Sequence, residues 1–563
     1  MVAPEAPTGS LAKPSAPTAV FPTEGDLAPL PSLPAPAEAF GDTVAVNRWS
    51  VKASAQTENA AYEDSSPWGE IARTAASAHS GAARLSPALR CAATEIARFY
   101  SEKGGLPTES LRRFLVARCG ATEPDATPYI YGLTGLPAPS DSQLVARAAD
   151  GVRQYLEKAL AGETPRAFAI ATSRFDERVS VAVVVAADPA TLEPLARSVD
   201  AQRNVTIRGT VRAGAANAMA LVNRGDYGFA SCTPDPEAAL PKFGFSCHLD
   251  DKDNYAWVQV LVRRANRVMD DSVADVLVYE GDPEHLEYRP HPLEKSAGGD
   301  ADVRTALLAG VNRARAAAGL GLLSLAAAQS GTNARLAGTL IDASLKNRAT
   351  DADRIALGML AGWNVDGTIR NGGLFMGLVT PARDAGSWLD FAIERPVGRY
   401  VLFDPDARRI AIAPLQAQNG IGAVVTTYAL FDSPKHDADA DHVFRRLTAT
   451  RSALGRAALA ARPHVGALDE QSARVLAGAV EPGAALFTSM QSLAAQVSGA
   501  RVHGYVVEAN DLDRAPQPQD LLEANGGSLV VSVTHHRVKG AAWGQYVIFY
   551  LYVDAAAAPG VQL

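Results

Sequence analysis

Histidine and acidic residues near the C-terminus could do chemistry, because imidazole and carboxylate groups bind metals and move protons. His535 and His536 end a run typical of a β-strand. Side chains alternate across a strand, so the two rings are predicted to face opposite sides. His503 and Glu508 lie on a neighbouring predicted strand and could meet one of these rings. We interpret His503, Glu508 and His535 as a candidate metal or acid–base site, with polar surface residues as the alternative.

Other ligand-binding patterns are incomplete. Asp437, Asp439 and Asp441 could offer oxygen ligands to calcium, but the glycine and the terminal glutamate of an EF-hand loop are missing. Gly372 and Gly373 are not set in a strand–Gly-x-Gly-x-x-Gly–helix pattern, so no phosphate loop is predicted. The nucleophile-elbow pattern Gly-x-Ser-x-Gly is absent from the sequence. We therefore assign no catalytic residue and no cofactor, and interpret residues 433–441 as a polar joint.

The four cysteines fall into two pairs that are close in sequence, Cys91 with Cys119 and Cys232 with Cys247. A disulfide that closes a loop of about 15 residues stabilises a fold by about 3 kcal/mol. Zinc is disfavoured, because no Cys-x-x-Cys or paired-histidine pattern accompanies these sulfur atoms. We predict two disulfides and an oxidising compartment, with four reduced, buried thiols as the alternative.

Composition and charge exclude several classes of protein. The chain is 47% hydrophobic and 20% charged, which is typical of globular domains rather than of disordered or fibrous proteins. Its formal net charge is −8 and it has no dense Lys/Arg run, so no nucleic-acid partner is expected. No stretch reaches the roughly 18–20 uninterrupted apolar residues of a membrane helix. The length of 563 residues predicts three or four domains.

The N-terminal region reads as a spacer, because residues 1–40 hold nine prolines among small residues. No basic or apolar export signal follows Met1, so we expect the signal to precede this sequence, with or without a lipoprotein cysteine. Helices are predicted from Ser86, from Thr108 and between Leu144 and Leu160. The predicted units are a flexible Pro/Ala-rich tether at 1–65, a helical unit at 66–164, a mostly β unit at 165–282, a linker at 283–300, an α+β unit at 301–432 and a C-terminal α+β unit at 442–563.

Within the β unit, valines alternate from residue 179 to residue 185. This alternation predicts a sheet with one buried face, within a small sandwich. No internal repeat is recognisable in the sequence.

Two stretches of the unit at 301–432 carry a family resemblance. In the first stretch, residues 307–320, Asn312, Arg315 and Gly319 fit a helix pattern L-N-x-x-R-x-x-x-G-L. In the second, Trp388 precedes three further motif residues, Pro396, Arg399 and Pro405. Together with a closing strand at 422–431, residues 303–431 resemble the CAP superfamily (cysteine-rich secretory, antigen 5 and pathogenesis-related proteins) in its bacterial SCP-like branch. The resemblance implies an α-β-α sandwich, and the whole chain is expected to be a multidomain α+β protein.

The resemblance also implies a cleft, and here the sequence departs from the family. Metal-binding CAP domains use two histidines. One lies on the helix after the first motif, here residues 332–337, and the other stands where this chain has Gly398. No histidine occurs between His291 and His436. Since imidazole is the ligand that holds zinc-like ions at neutral pH, we expect a pseudo-site that binds no metal and catalyses no reaction.

The sequence thus predicts an exported bacterial CAP-domain protein that is not an enzyme. It would be a binding or scaffold protein at the cell surface or outer membrane, possibly lipid-anchored, or released outside the cell. Its partner would be a surface protein, a glycan or a lipid. Two alternatives stay open. One is an extracellular or periplasmic hydrolase that uses the C-terminal unit, and the other is a lipid or sterol carrier.

Overall fold

The protein is described from a computed structural model. The structure describes residues 43–46, 48–51, 62, 64–135, 137–212, 214–250, 254–264, 267, 269–281, 286–288, 303–361, 363, 365, 367–379, 384–417, 420–431, 436–462, 465–497, 500–509, 512–513, 515–537 and 544–554. The chain forms two compact units, one of residues 1–362 and 373–427 and one of residues 363–372 and 428–563. No helix among the described residues is long and apolar enough to cross a membrane.

The first large element is a four-stranded sheet with helices on both faces. The elements up to its last strand are β1 (Thr43–Val44), α1 (Pro67–Ala78), β2 (Ala83–Leu85), α2 (Pro87–Lys103), β3 (Leu106–Pro107), α3 (Glu109–Arg118), β4 (Thr127–Thr134), α4 (Asp141–Ala159), β5 (Arg166–Phe175) and β6 (Arg178–Ala187). The strand order is β2-β5-β6-β4, with β2 parallel to β5 and the other neighbours antiparallel. β1 pairs with β3 outside this sheet.

Local sequence explains how helices cover both faces of this sheet. Ser86 caps α2 by accepting a hydrogen bond from the Leu89 amide, and Gly104 ends the helix in the left-handed region at φ 76°. The even-numbered residues of β6, which are mostly small, pack under α2, and its odd-numbered valines pack under α4. The prediction of one buried face is therefore wrong, since small residues on the second face let α2 approach closely.

A β-sandwich follows between residues 190 and 279. Its strands are β7 (Ala190–Leu192), β8 (Asn204–Val211), β9 (Ala215–Arg224), β10 (Gly228–Ser231), β11 (Thr233–Pro234), β12 (Lys242–His248), β13 (Tyr255–Arg264) and β14 (Asp270–Tyr279). The two sheets, β10-β9-β13-β14 and β11-β12-β8-β7, share one hydrophobic core. Their strands are antiparallel throughout.

The next sheet lies in the region that resembles the CAP family. Its elements are α5 (Val303–Ala317), β15 (Ser324–Leu325), α6 (Ala327–Leu345), α7 (Ala349–Ala361), β16 (Ile369–Val379), α8 (Ala385–Glu394), α9 (Pro396–Leu402), β17 (Arg409–Ala417) and β18 (Gly420–Leu430). The strand order is β15-β17-β18-β16, and β15 is parallel to β17.

The last sheet is built from the C-terminal residues. Its elements are α10 (His436–Ala453), β19 (Ala460–Ala461), α11 (Gly466–Leu476), α12 (Pro482–Gln496), β20 (Val502–Ala509), α13 (Gln519–Glu523), β21 (Ser528–His536) and β22 (Gln545–Val553). The strand order is β19-β21-β22-β20, and β19 is parallel to β21.

The chain contains the same topology three times, in residues 67–187 (repeat 1), 303–430 (repeat 2) and 436–553 (repeat 3). Each repeat runs helix, short strand, two helices, strand, one or two helices and two strands, and repeat 1 has the two-residue β3 in addition, between its two consecutive helices. In each repeat, the four strands of the sheet lie side by side in the order first, third, fourth, second, counted along the chain of that repeat's sheet. The short first strand is parallel to the third. The sequence showed no internal repeat, and the structure corrects this. The β-sandwich lies between repeats 1 and 2 along the chain.

Three predicted boundaries also differ from the structure. Residue 165 does not separate a helical from a β unit, because β5 and β6 complete the sheet of repeat 1. The tether was predicted to extend to residue 65, yet Trp49 is buried and lies edge-on to Phe99, with ring centroids 4.7 Å apart. Tyr288, within the predicted linker, is buried and forms a β-bridge with Trp49. In both segments, a buried aromatic side chain therefore anchors residues that their composition predicted to be a tether or a linker. Residues 1–42 and most of the linker lie outside the described residues.

Candidate functional site

Residues of the first motif hold the end of α5 in repeat 2. The Asn312 side chain donates to the Leu323 carbonyl at 3.0 Å and accepts from its amide at 2.8 Å. Arg315 is fully buried, and Gly319 follows the helix at φ 72°. The Arg315 guanidinium donates to the backbone carbonyls of residues 321, 402, 404 and 407. These side chains are thus engaged inside the fold.

Arg451 repeats this arrangement at the end of α10 in repeat 3. It is 1% exposed and donates to the carbonyls of residues 457, 521, 522 and 524. Gly455 follows at φ 70°, four residues after the arginine as in repeat 2. Sequence reasoning missed Arg451. The shared spacing Arg-x-x-x-Gly at residues 315–319 and 451–455 was the signal that could have found it.

The second motif is also built into the fold. The buried Trp388 indole donates to the Gly377 carbonyl at 3.0 Å, and Pro396 is the first residue of α9. Arg399 donates to the carbonyl of Ile393 and to those of residues 224, 225 and 228 in the β9–β10 hairpin of the sandwich. Pro405 lies exposed in the turn before β17.

The two positions expected for the family's histidines hold no imidazole. At Gly398, a Cβ atom would lie 1.9 Å from the Ala392 carbonyl oxygen, so the backbone leaves no room for a side chain. On α6, Asn333 is fully buried and donates to Thr426 Oγ1 at 3.3 Å.

The structure does not bring His503, Glu508 and His535 together. β22 lies between β20 and β21, and the two histidines pair with residues 552 and 546 of it. Six residues of strand separate the two rings by about 20 Å. Glu508 lies across β22 from residue 534, the neighbour of His535, so it points to the opposite face. The prediction that these three residues form one site is therefore wrong.

His535 has other partners within repeat 3. Its ring stacks on Phe431 with centroids 4.2 Å apart and planes 2° apart, and its Nδ1 lies 3.2 Å from His436 Nε2. Burial lowers the pKa of His535 to about 4 and also lowers the pKa of His436. Both rings are therefore uncharged at neutral pH. No three His, Cys, Asp or Glu side chains converge as a metal site in the part of the chain that the structure describes.

A charged junction, which sequence reasoning missed, lies where α3, the sandwich and α8 meet. Ser110 Oγ donates to the Glu394 carboxylate, while the Glu394 carbonyl accepts from Arg113 at 2.7 Å and from Asn223 at 2.9 Å. The Arg113 guanidinium also lies 3.8 Å over the Trp257 ring. Three parts of the chain therefore converge on the last residue of α8.

Carboxyl groups with shifted pKa values mark the same junction. Burial, with help from Glu394, raises the pKa of Asp390 to about 7. Burial also raises the pKa of Glu394. Burial would raise the pKa of Glu109 as well, but Arg112 and Arg395 outweigh it and hold that pKa low. Shifted carboxyls often mark functional sites, and the i,i+4 spacing of Asp390 and Glu394 was the signal in the sequence.

The space at these groups is small. A cavity of about 20 Å³ adjoins the junction, which is room for about one water molecule. It is lined by Glu109, Arg113, Trp257, Asp275 and Arg395. The junction is thus packed, with most of its volume filled by the chain itself.

A second cavity, of about 240 Å³, lies between repeat 1 and the sandwich. Arg84 binds Glu123 at 3.0 Å and Asp188 at 2.7 Å in its wall, and Arg212 binds Asp188 at 2.9 Å. Paired charges of this kind do not suit the apolar body of a lipid or sterol.

Both predicted cysteine pairs lie at disulfide distance. The Cα atoms of Cys91 and Cys119 are 5.5 Å apart, where the bridge joins α2 to the end of α3. Those of Cys232 and Cys247 are 4.5 Å apart within the sandwich. No free cysteine remains.

Comparison with known proteins gives only distant similarities. No protein-family model matches the chain, and no curated protein does. Among solved structures, a cysteine-rich secretory protein from Staphylococcus aureus subsp. aureus Mu50 is similar at 10% identity and a TM-score of 0.18, over 43% of this chain and 86% of that one. An extracellular protein containing an SCP domain, from Bacillus anthracis strain Ames, is similar at 12% identity and a TM-score of 0.18, over 43% and 89%. At this TM-score the similarities carry no argument about fold or function.

Proposed function

We propose that this protein is an exported, non-catalytic binding or scaffold protein, in which repeat 2 is a CAP-like unit with a pseudo-site. One observation supports this most directly. The stretch 394–399 of the second motif is covered by the chain's own sandwich, through Arg399 and through the Val397 amide, which donates to Gln259 Oε1 at 3.0 Å. It is also covered by α3, through Arg113, which donates to the Glu394 carbonyl. The stretch where the resemblance places a cleft histidine is therefore an internal contact surface of this chain.

Two further observations support the pseudo-site. The backbone at Gly398 excludes the side chain that a metal site would need. The adjoining cavity holds about one water, far below the roughly 300 Å³ of small ligand pockets. Export is supported by the two cysteine pairs, since disulfides persist in oxidising compartments.

Titration of the full chain with zinc chloride in a calorimeter, after treatment with EDTA, tests the pseudo-site. We expect no sub-micromolar binding. The double variant His436→Ala, His535→Ala serves as the control, because it removes the histidine pair of repeat 3. Sub-micromolar binding of one zinc ion per chain that persists in this variant would overturn the proposal.

Thiol trapping tests export separately. The protein is alkylated in intact cells of its source, and the cysteine peptides are then mapped without reduction. We expect both disulfides in the exported fraction. Four alkylated thiols in a cytoplasmic protein would contradict export and leave the zinc result standing.

A further inference from the structure

The cavity of about 240 Å³ lies between repeat 1 and the sandwich, which belong to the same compact unit. It has room for about eight water molecules, at about 30 Å³ each. This volume is somewhat below the roughly 300 Å³ of drug-sized ligand pockets, so it suits a smaller molecule. Its charged wall includes Arg84 in β2, Asp188 directly after β6 and Arg212 directly after β8. The two parts of the unit therefore bring these side chains to one space.

Two buried carboxylates in the wall are already occupied by hydrogen-bond donors of the chain. Asp188 accepts from Arg84 Nε at 2.7 Å, from Arg84 Nη2 at 3.0 Å and from Arg212 Nη2 at 2.9 Å. Glu123 also accepts three hydrogen bonds, one of them from Arg84 Nη2 at 3.0 Å. A carboxylate has about four acceptor positions, so these two acids offer little to a cation. They fix the guanidinium groups in position, as supporting residues fix those of a binding site.

The two arginines, in contrast, keep unused donors. A guanidinium group has five N–H bonds. Arg84 uses three of them, and its Nη1 donates to no residue that the structure describes. Arg212 uses one, and its Nε and Nη1 have no hydrogen-bond partner among the described residues. The side chains of Arg84 and Arg212 are 39% and 40% exposed, so a dissolved molecule can reach them.

Unused donors therefore outnumber unused acceptors among the charged groups of this cavity, and the ligand chemistry that matches them is an oxygen anion. Arginine is well suited to this role, because its planar fork donates parallel N–H bonds to carboxylate and phosphate oxygens. None of the described lining residues is aromatic, so the wall offers no ring on which a nucleotide base or a sugar could stack.

We propose that this cavity binds a small molecule through a carboxylate or phosphate group, which Arg84 and Arg212 hold between them. Two arginines face two carboxylates in the wall, so the site is electrically balanced before the ligand enters and binding is weak. The site lies outside the CAP-like repeat. The proposal therefore goes beyond the function proposed above and does not depend on the pseudo-site.

Calorimetric titration of the full chain with sodium phosphate and, separately, with sodium succinate tests the site. Each probe is raised to about 10 mM, in the range of weak ligands, and sodium chloride keeps the ionic strength constant. We expect one saturable site per chain for at least one probe, and the tighter probe shows whether phosphate or carboxylate is preferred.

Arg212→Gln should weaken this binding at least tenfold, because it removes one of the two guanidinium groups while Arg84 still pairs with Asp188. The matched control is Arg208→Gln. Arg208 is an exposed arginine of β8 that pairs with Asp235 at 3.1 Å and is not among the residues lining the cavity. This control should bind both probes as the unaltered chain does.

A second variant tests whether the cavity itself, rather than charge at the surface, holds the probe. Thr191→Phe adds volume at the wall and leaves both arginines in place, so it should abolish binding. Melting temperatures without probe, equal to that of the unaltered chain, show that the variants are folded. A chain that binds neither probe, or binding that Arg212→Gln or Thr191→Phe leaves intact, would overturn the proposal.

Discussion

Replacing Gly398 tests the packing at the pseudo-site. A Cβ at this position must move from 1.9 Å to at least 3.4 Å from the Ala392 carbonyl oxygen, which requires a displacement of about 1.5 Å in the backbone near the end of α8. That atom cannot rotate away as the tip of a side chain can. We expect Gly398→Ala to lower the free energy of unfolding by about 3 kcal/mol, at the upper end of overpacking costs. Gly398→His should cost more and should not create a zinc site.

Urea denaturation of the full chain, followed by tryptophan fluorescence, measures the effect. Gly321→Ala is the matched control, because a Cβ there meets no atom within 4 Å. Its midpoint should stay within error of the unaltered chain. If Gly398→Ala unfolds with the unaltered chain, or if Gly398→His binds zinc at sub-micromolar concentration, the reasoning is refuted.

Three further predictions concern other parts of the chain. Arg451→Lys should lower the free energy of unfolding of repeat 3 by about 3 kcal/mol in a urea titration, because one ammonium group cannot donate to four carbonyls. The control Arg445→Lys, on the exposed side of α10, should leave that free energy unchanged. The pKa of Asp390 is raised to about 7 in the folded chain, so the unfolded chain loses this proton first and stability should fall as pH rises from about 4 to 7. In thermal melting, Asp390→Asn should show a smaller fall, and an unchanged pH profile would contradict the raised pKa of Asp390. Trp49→Ala should lower the free energy of unfolding by about 3–5 kcal/mol in a urea titration, and a neutral result would restore the N-terminal tether to its predicted length.

Local structure was predictable where one residue decides it. Ser86 before Pro87 and Gly104 after the helix mark both ends of α2, because a side-chain cap and a left-handed glycine each satisfy backbone groups at a helix end. The short loops between the cysteines also predicted their pairing.

The threefold repetition was hidden because different residues build the same topology. Repeats 2 and 3 share a buried arginine, a glycine four residues later and a short strand nine residues later. In repeat 1 the position nine residues before β2 is Thr74, and a cysteine bridge joins α2 to α3 instead. Because only two of the three repeats share this pattern, and only at a few positions, the sequence shows no recognisable periodicity.

The candidate site failed for another reason. Sequence can place His503 and His535 on strands, but it does not give the strand order. β22, the last strand among the described residues, lies between the other two, and this separates the residues. The junction around Glu394 was equally hidden, because its partners come from residues more than 150 positions away.

The parallel pairing of each short first strand imposes a delay on folding. β2 must wait for a partner that begins 83 residues later, at Arg166, and the first strands of repeats 2 and 3 wait for Arg409 and Ser528. A loop of 28 residues closes at a smaller entropic cost than one of 83 residues. The cysteine bridge of repeat 1 closes such a loop, between residues 91 and 119, inside this interval of sequence. It can therefore hold the helices of repeat 1 together before its sheet exists, whereas the other two repeats contain no cysteine and must cross the same interval without such a covalent tie.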